Sequence, residues 1–400
     1  MPGHLEKISK DSWTIIIEAG RDPATGKRKR IKKAFRGTKK EAEKELARML
    51  TEIETGLYCE PSKLSFGEYL KKWLADYAKV KTSPKTYSRY EEIILKSVIP
   101  NLGQVIVEKL KPLHLQSYYT KMLTEGRQDG SGGLSSTTVL KHHLILHKAL
   151  ESAVKWQLVP RNVADAVEAP KKAPTEMAIL SEEQVNEMIK LTLDSAYFPQ
   201  IVLAILTGMR RGEIYGLRWR DVDLVEGIIT VRQASQYTKE KGIFFKEPKT
   251  TSSRRSLDVS DYVVTVLRKV KVEQNKCKLA YGEHYHEESG DLIFTQPDGR
   301  PQHPDSISSW FPEFIEKNGL PRVRFHDLRH SHASLLLKNG ESLKLISERL
   351  GHAGVGITSD IYTHLAPGMQ KKAAAKLEEL IFFGDVGHQT GTKDIKRPPE

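Results

Sequence analysis

The sequence predicts a multidomain α+β protein. We expect a small N-terminal three-stranded sheet plus helix, an all-helical second domain, and a mixed, mainly helical third domain with a small antiparallel sheet. Three observations support this expectation: 400 residues suit two or three domains, the apolar periodicity changes along the chain, and linker-like segments occur at 61–63 and 169–174. The predicted domains are residues 1–60, 64–168 and 175–383, followed by a flexible tail at 384–400.

The N-terminal domain is predicted from a hairpin followed by a helix. Apolar and polar residues alternate over residues 13–17, which is the period of a strand, and the chain returns along residues 27–36 after a turn-forming segment. Thr38 and Glu41 have the spacing of a capping box, so they are expected to begin a helix that Gly56 closes.

The returning strand is strongly basic. Nine of the fourteen residues from 27 to 40 are Lys or Arg, and none is acidic. The whole chain has 63 Lys and Arg against 51 Asp and Glu, a formal net charge of +12, which favours a polyanionic partner. A solvated charged loop is the alternative, but apolar residues recur within the run. We predict DNA contacts from Lys27, Arg28, Lys29, Arg30, Lys32, Lys33, Arg36, Lys39 and Lys40.

Composition also excludes several classes of protein. No apolar run approaches the roughly 18 residues that cross a bilayer, and the first ten residues are polar, so we expect a cytoplasmic protein without a membrane partner. Cys59 and Cys277 are the only cysteines and lie far apart in sequence. A disulfide framework and a cysteine-based metal knuckle are therefore excluded.

The second domain is predicted to be helical throughout. Ser65 and Glu68 form another capping box, ahead of a helix with a single apolar face. His142, His143 and His147 lack a nearby carboxylate or cysteine, so we expect them to be exposed or to face phosphate rather than bind metal. Further helices are predicted at 86–96, 111–125 and 136–156.

The third domain mixes helices with short strands. Ser181 and Gln184 are spaced to cap its first helix, and Ser260 is the expected cap of a later one. The predicted helices are 181–193, 199–217, 261–276 and further helices from 305 onward, and the predicted strands are 227–232, 243–246, 255–259 and 292–295.

Four segments of the third domain carry side chains suited to a phosphodiester. Arg210 and Glu213 are three residues apart, so on a helix they would share a face, and an ordinary ion pair is the alternative. Lys249 lies in a basic, polar turn between two strands, which by itself could be a solvated hairpin.

The third and fourth segments add proton-transfer groups and a nucleophile. His326 and Arg329 are three apart, which pairs a proton-transfer group with a bidentate phosphate ligand. Leu350-Gly351-His352 is followed by Tyr362, whose hydroxyl could attack phosphorus where cations stabilise the developing charge.

Together these segments resemble the tyrosine recombinases, specifically the integrases of phages and conjugative transposons. The T-G-x-R-x-x-E, H-x-x-R and L-G-H-x(n)-Y blocks occur here in that family's order; each is weakly specific alone, but the set is highly specific. The resemblance covers nearly the whole chain. It implies that residues 1–60 bind arm-site DNA, that residues 64–168 form a SAM-like domain for core-site DNA, and that residues 175–383 are the catalytic domain.

The resemblance also implies individual roles. Tyr362 would be the nucleophile and Lys249 the general acid, with Lys246 as an alternative on the same hairpin. Tyr362 lies ten residues after His352, one more than in many members of the family, but it is the only tyrosine in this window. Phosphate would be bound by Arg210, His326, Arg329 and His352, with Glu213 in the supporting acidic position.

The implied reaction is strand transesterification through a 3'-phosphotyrosyl bond, with neither a metal nor another cofactor. It would integrate and excise a mobile element or prophage. The implied partners are double-stranded DNA attachment sites, further copies of this chain in a homotetramer on DNA, and, as further candidates, an excisionase and a DNA-bending host protein.

Three alternatives remain open at this point. A relaxing topoisomerase uses the same kind of tyrosine but would not need two additional DNA-binding domains, and the other two alternatives dispense with the tyrosine. One is a DNA-binding regulator without catalysis, although pure binding requires no nucleophile. The other is a metal-dependent nuclease that uses His326, His330 and His332 with Asp327, although the H-E-x-x-H pattern is not met.

Overall fold

The chain divides into two compact units, Met1–Pro174 and Thr175–Glu400, and each is considered by itself. None of the described helices is long and apolar enough to cross a membrane. The predicted tail at 384–400 and Gly56 lie outside the described residues. The computed structural model describes residues 3–21, 28–55, 58, 63–172, 178–247, 254–287, 290–352, 354–362, 374–375, 377–378 and 381.

The N-terminal fold is a three-stranded antiparallel sheet covered by one helix, as predicted. Strands β1 (Gly3–Ser9), β2 (Ser12–Arg21) and β3 (Arg28–Arg36) lie in the order β1-β2-β3. Helix α1 (Lys39–Glu54) begins with the predicted capping box of Thr38. Ile15, Ile17 and Ile31 pack with Met49 in the core. Strand β1 was missing from the residue-level prediction because its sequence shows no apolar alternation.

The helical region of the first unit follows its predicted apolar faces. Ser65 caps the first helix in the predicted capping box, and Phe66, Tyr69 and Trp73 are fully buried. Helical turns of π type at Leu74–Ala78 and Ile94–Val98 extend two of the helices. The helices are α2 (Phe66–Trp73), α3 (Lys79–Lys81), α4 (Pro84–Ile93), α5 (Ile99–Leu102), α6 (Pro112–Glu125) and α7 (Ser136–Lys155).

The histidines of α7 correct one expectation. His142 and His143 are buried, and their Nδ1 atoms lie 2.8 Å from the Tyr118 hydroxyl and 3.1 Å from the Tyr119 hydroxyl. Burial lowers the pKa of His142 to about 4, so the ring is neutral near pH 7. The expectation of exposed or phosphate-facing side chains was wrong for these two, because α6 packs over that face of α7.

The second unit combines helices with small antiparallel sheets, as predicted. Its strands form one sheet in the order β4-β5-β8 and a separate β6-β7 hairpin. The strands are β4 (Val222–Asp223), β5 (Ile228–Val231), β6 (Ala234–Thr238), β7 (Gly242–Lys246) and β8 (Arg255–Asp258). The helices are α8 (Glu182–Leu191), α9 (Phe198–Thr207), α10 (Arg211–Ile214), α11 (Asp261–Tyr281), α12 (Ser306–Lys317), α13 (Asp327–Lys338), α14 (Leu343–Leu350) and α15 (Val355–Tyr362).

One strand prediction was wrong in this unit. Residues 292–295 form no strand, and only single bridges join Leu292 to Arg218 and Thr295 to Pro301. Leu292, Ile293 and Phe294 are all buried, so the run is apolar because it crosses the core and not because it belongs to a ladder.

The packing of five elements determines where the predicted residues meet. Helix α9 packs against α13, α13 packs against α14, and α14 contacts both α15 and β8. The C-terminal ends of α9 and α14 therefore lie near α13, and the chain segments that leave these helices carry Arg210 and His352.

Candidate active site

Arg210 lies in a break between two helices. Helix α9 ends at Thr207, and Gly208 adopts the left-handed conformation with φ +66°. Arg210 is extended and caps α10 (φ −72°, ψ 148°), so the prediction of one helix over 199–217 was wrong. Arg210 and Glu213 still meet, through a capping box: the Arg210 amide donates to Glu213 Oε2 at 2.9 Å and Arg210 Nη1 donates to Oε1 at 2.7 Å.

Gly208 is required by its backbone and by its neighbours. A Cβ at this position would lie 2.6 Å from His332 Cδ2 and 2.8 Å from Leu350 Cδ2. The close approach of α9, α13 and α14 therefore depends on the missing side chain.

We expect Gly208→Ala to lower the free energy of unfolding by about 1 to 3 kcal/mol more than Gly319→Ala, because it adds overpacking to backbone strain. The two glycines have nearly the same φ, +66° and +65°, but a Cβ at Gly319 would meet nothing within 4 Å. Urea unfolding of both variants measures the difference. Equal destabilisation would contradict the packing argument.

Arg329 is buried and joins the C-terminal ends of α9 and α14. Its side chain is almost fully enclosed, with Nη1 2.6 Å from the Gly208 carbonyl and Nη2 2.5 Å from the Leu350 carbonyl. One turn later on α13, His332 Nδ1 lies 2.8 Å from the Ile205 carbonyl of α9. The guanidinium of Arg329 therefore connects the Arg210 segment to the turn that precedes His352.

His326 stands at the start of α13, three residues before Arg329. Desolvation, and then the neighbouring His330 and Arg329, lower the pKa of His326 to about 4, although the residue is exposed. His326 is thus neutral near pH 7 and can hydrogen-bond to a phosphate without a charge of its own. Its ring lies 5.7 Å from that of His330.

The arrangement around α13 does not favour a metal site. Asp327 forms an ion pair with Arg324 at 2.8 Å, and His332 points to the α9 backbone. Among the residues that the structure describes, no group of three His, Cys, Asp or Glu side chains is placed to hold a metal ion. The metal-dependent alternative therefore has no ligand set in this region.

His352 follows the left-handed Gly351 at the end of α14. Gly351 has φ +64°, and its carbonyl accepts from Arg210 Nη2 at 3.2 Å. His352 Nδ1 lies 2.9 Å from the Thr358 hydroxyl. Burial, and then Arg329 and Arg210, lower the pKa of His352 to about 4. In the tautomer in which Nδ1 accepts from Thr358, Nε2 carries a proton that it can donate to a phosphate.

Sequence reasoning missed Arg255, at the start of β8. Its Nη2 lies 2.8 Å from Glu213 Oε2, and both side chains are only 6% exposed. Burial alone would raise the pKa of Glu213, but Arg255 and then Arg210 outweigh it, so the pKa is below its ordinary value. The sequence did contain a signal for this residue. Apolar Leu257, which is buried, lies two residues after Arg255, so strand alternation places both side chains on the face of β8 that points into the core. A buried arginine on that face requires an acidic partner.

The remaining predicted residues are described only in part. Tyr362 is the last residue of α15, and its side chain lies outside the described part of the structure. Lys249 lies outside the described residues, whereas Lys246 ends β7, half-buried and opposite Ala234. The roles of Tyr362 and Lys249 remain predictions.

The predicted N-terminal DNA contacts divide between the faces of β3. Arg30, Lys32 and Arg36 are exposed, whereas Lys33 faces the helix and its Nζ lies 2.7 Å from Glu45 Oε1. Lys39 and Lys40 are exposed at the start of α1. Lys27 and the side chains of Arg28 and Lys29 lie outside the described part of the structure.

The second unit thus gathers several cationic and imidazole groups around a few backbone carbonyls. Arg210, Arg329 and His352 come from three separated segments, and His326 stands on the same helix as Arg329. Guanidinium groups bind phosphate oxygens bidentately, and neutral histidines add donors. The arrangement is suited to binding a phosphate and to stabilising extra negative charge on it.

Known proteins are similar to this chain in sequence and in fold. Residues 178–369 match the phage integrase family, and residues 65–123 match the phage integrase N-terminal SAM-like domain. Over 393 residues the chain is 28% identical to the protein "Tyrosine recombinase XerC-like" of Caldanaerobacter subterraneus, covering 94% of this chain and 98% of that protein. It is 27% identical over 379 residues to the ICEBs1 integrase of Bacillus subtilis, covering 94% and 100%.

A solved structure supports the assignment at the level of the fold. The Tn1549 transposon integrase, in complex with a circular intermediate DNA, superposes with a TM-score of 0.63 at 18% identity over 79% of this chain and 99% of that chain. The resemblance inferred from the sequence motifs is confirmed by the domain matches and by the full-length relatives. The chain belongs to the phage integrase family of tyrosine recombinases.

Proposed function

We propose that this enzyme is a site-specific DNA recombinase that integrates and excises a mobile element or prophage. One observation carries the proposal: Arg210, Arg329 and the turn from Leu350 to His352 are held together by arginine bonds to backbone carbonyls. The helix that follows this turn ends at Tyr362. A phosphate-binding group of cations is thus followed directly by a helix that carries an oxygen nucleophile.

The proposed reaction exchanges one phosphodiester for another. The Tyr362 hydroxyl attacks the scissile phosphorus and gives its proton to the neutral imidazole of His326. A 3'-phosphotyrosyl bond forms, and the bond to the 5'-oxygen breaks. Lys249 gives a proton to the departing 5'-oxygen. The 5'-hydroxyl of a partner strand then attacks the phosphotyrosine and restores the DNA. Because each step replaces one phosphate ester by another, the reaction requires no ATP, and we assign to the arginines and histidines of the site the charge stabilisation that a metal would otherwise supply.

The cations and histidines of the site act on the transition state. The attacked phosphate carries additional negative charge, and preorganised donors that meet this charge lower the barrier. We assign that role to Arg210, Arg329, His326 and His352, and we assign to Glu213 the orientation of Arg210.

Assembly follows from the chemistry of strand exchange. Exchange between two duplexes breaks four strands, and each broken strand needs one tyrosine, so four copies of the chain are required. We propose that residues 64–168 and 175–383 bind core-site DNA and residues 1–60 bind arm-site DNA. An excisionase and a DNA-bending host protein are candidates for setting the direction, and the reaction takes place in the cytoplasm.

Covalent trapping tests the proposed function. A nicked duplex that carries the cognate attachment site should accumulate a protein-DNA adduct that survives denaturing electrophoresis. The adduct should form equally well in excess EDTA. A mobility shift without an adduct would support the non-catalytic regulator, and cleavage that needs added metal would support the nuclease.

The outer face of β3 is proposed to hold the arm-site backbone. Lys32 and Arg36 are exposed on that face, whereas Arg30 forms an ion pair with Glu18 at 3.2 Å. A cation that contacts a phosphate displaces a counterion, so its removal reduces the salt dependence of binding.

We expect the double variant Lys32→Ala/Arg36→Ala to reduce the slope of log K against log salt by about 2. Lys33→Ala is the matched control, because the ammonium of Lys33 is held by Glu45 on the opposite face. Its slope should change by much less than one. Binding to a short duplex across a salt series measures both, and equal slopes for the double variant and wild type would contradict the assignment.

A further inference from the structure

We propose that Arg255 is a positioning residue for recombination, which holds Glu213 and the C-terminal end of α14 so that Arg210 and Arg329 meet the phosphate correctly. The inference rests on the proposed function and assigns a part of it to a residue outside the recognised motifs. Arg255 is buried, and its Nε, Nη1 and Nη2 all hydrogen-bond to the Arg349 carbonyl or to Glu213, so we assign its action to these neighbours and not to a contact with DNA.

The first observation concerns the carboxylate of Glu213. Oε1 accepts from Arg210 Nη1 at 2.7 Å and from Arg255 Nη1 at 3.3 Å, and Oε2 accepts from the Arg210 amide at 2.9 Å and from Arg255 Nη2 at 2.8 Å. Each oxygen is therefore held by both arginine residues. Turning the carboxylate would break bonds on both sides.

The exposure of the two arginines separates their roles. The Arg210 side chain is 36% exposed, whereas that of Arg255 is 6% exposed. Arg210 can therefore reach a bound phosphate, whereas all three guanidinium nitrogens of the enclosed Arg255 are bonded to Glu213 or to the Arg349 carbonyl. The bidentate pair of Arg255 with Glu213 fixes the acid that orients Arg210.

The second observation concerns the end of α14. Three consecutive carbonyls there accept from three different arginines: that of Arg349 from Arg255 Nε at 2.6 Å, that of Leu350 from Arg329 Nη2 at 2.5 Å, and that of Gly351 from Arg210 Nη2 at 3.2 Å. The last carbonyls of a helix lack partners within the helix and carry its negative end. They can therefore hold several guanidinium groups close together.

This arrangement makes Arg255 the link between two parts of the site. Its carboxylate partner orients Arg210, and its carbonyl partner, that of Arg349, directly precedes the Leu350 carbonyl that Arg329 holds. A small displacement of Arg255 should therefore change the geometry of several reacting groups at once.

Single-turnover kinetics test the proposal with a conservative variant. Arg255→Lys keeps the charge but loses the bidentate pair, and we expect covalent attachment to a nicked attachment-site duplex to slow by about 10- to 100-fold. DNA affinity, measured by mobility shift, should stay at the wild-type value. Arg218→Lys is the matched control, since Arg218 forms a similar pair with the buried Asp221 at 2.6 Å. Its attachment rate should equal that of wild type.

A double-mutant cycle tests whether Arg255 acts through Glu213. In a Glu213→Gln background, Arg255→Lys should cause a much smaller further loss of rate. Fully additive losses would overturn action through Glu213, and a wild-type rate for folded Arg255→Lys would overturn the positioning role.

If Arg255→Lys does not fold, Arg255→Gln takes its place, and failure of both to fold would show a structural role instead. An absence of adduct with wild-type protein would refute the proposed function and not this assignment.

Discussion

Tyr362→Phe is expected to abolish covalent attachment to DNA and to leave DNA binding unchanged. The substitution removes one oxygen atom, which is the proposed nucleophile, and keeps the aromatic ring. Because Tyr362 is the last residue of α15, the change should not disturb the core of the second unit. Denaturing electrophoresis of a nicked attachment-site duplex measures the adduct, and a mobility shift measures the affinity.

Tyr262→Phe is the matched control for this experiment. Tyr262 lies on α11 and is 47% exposed, so its hydroxyl is accessible but belongs to no group of cations described above. The control should form adduct at the wild-type rate. A Tyr362→Phe protein that forms the adduct normally would refute the nucleophile and would point to another hydroxyl of the chain.

Arg329→Lys is expected to slow covalent attachment by about 100- to 1000-fold, the usual cost of removing one preorganised donor. Lysine keeps the charge but cannot reach the carbonyls of Gly208 and Leu350 together with a phosphate. The rate should therefore fall far more than the affinity for DNA. Single-turnover trapping and mobility shifts on the same duplex separate the two effects.

Arg268→Lys is the matched control for Arg329. Arg268 also donates to a backbone carbonyl, that of Leu224 at 2.9 Å, but it lies exposed on α11. Its variant should attach to DNA at the wild-type rate. Melting temperatures of both variants show whether each is folded under assay conditions, and a folded Arg329→Lys enzyme with wild-type activity would refute the assigned role.

Local features of the fold could be predicted from the sequence. The capping boxes of Thr38, Ser65 and Ser181 were confirmed, because each requires only a side chain and an amide three residues apart. The strand at 292–295 and the helix at 199–217 were wrong for a common reason. An apolar run shows that a segment is buried but does not show what its backbone bonds to, or where a glycine will bend it.

In the candidate site, too, some features could be predicted from the sequence and others depended on tertiary contacts. The order and types of its residues, including Arg210, His326, Arg329 and His352, could be read from motifs, because the chemistry of phosphate requires cations and proton donors. Strand alternation could indicate that Arg255 faces the core, but it could not name the partners that give this residue its role. These partners are 42 and 94 residues away in the sequence.

The sequence by itself determined the family, the three kinds of fold and the set of groups available for the reaction. Only the tertiary structure decided that three arginines donate to three consecutive carbonyls at the end of α14, one arginine to each carbonyl. Donor and acceptor are up to 141 residues apart in the sequence. The physical reason is one of range. Capping and periodicity act within a few residues, whereas a hydrogen bond of about 3 Å between distant segments requires the packing of α9, α13 and α14 to bring them together.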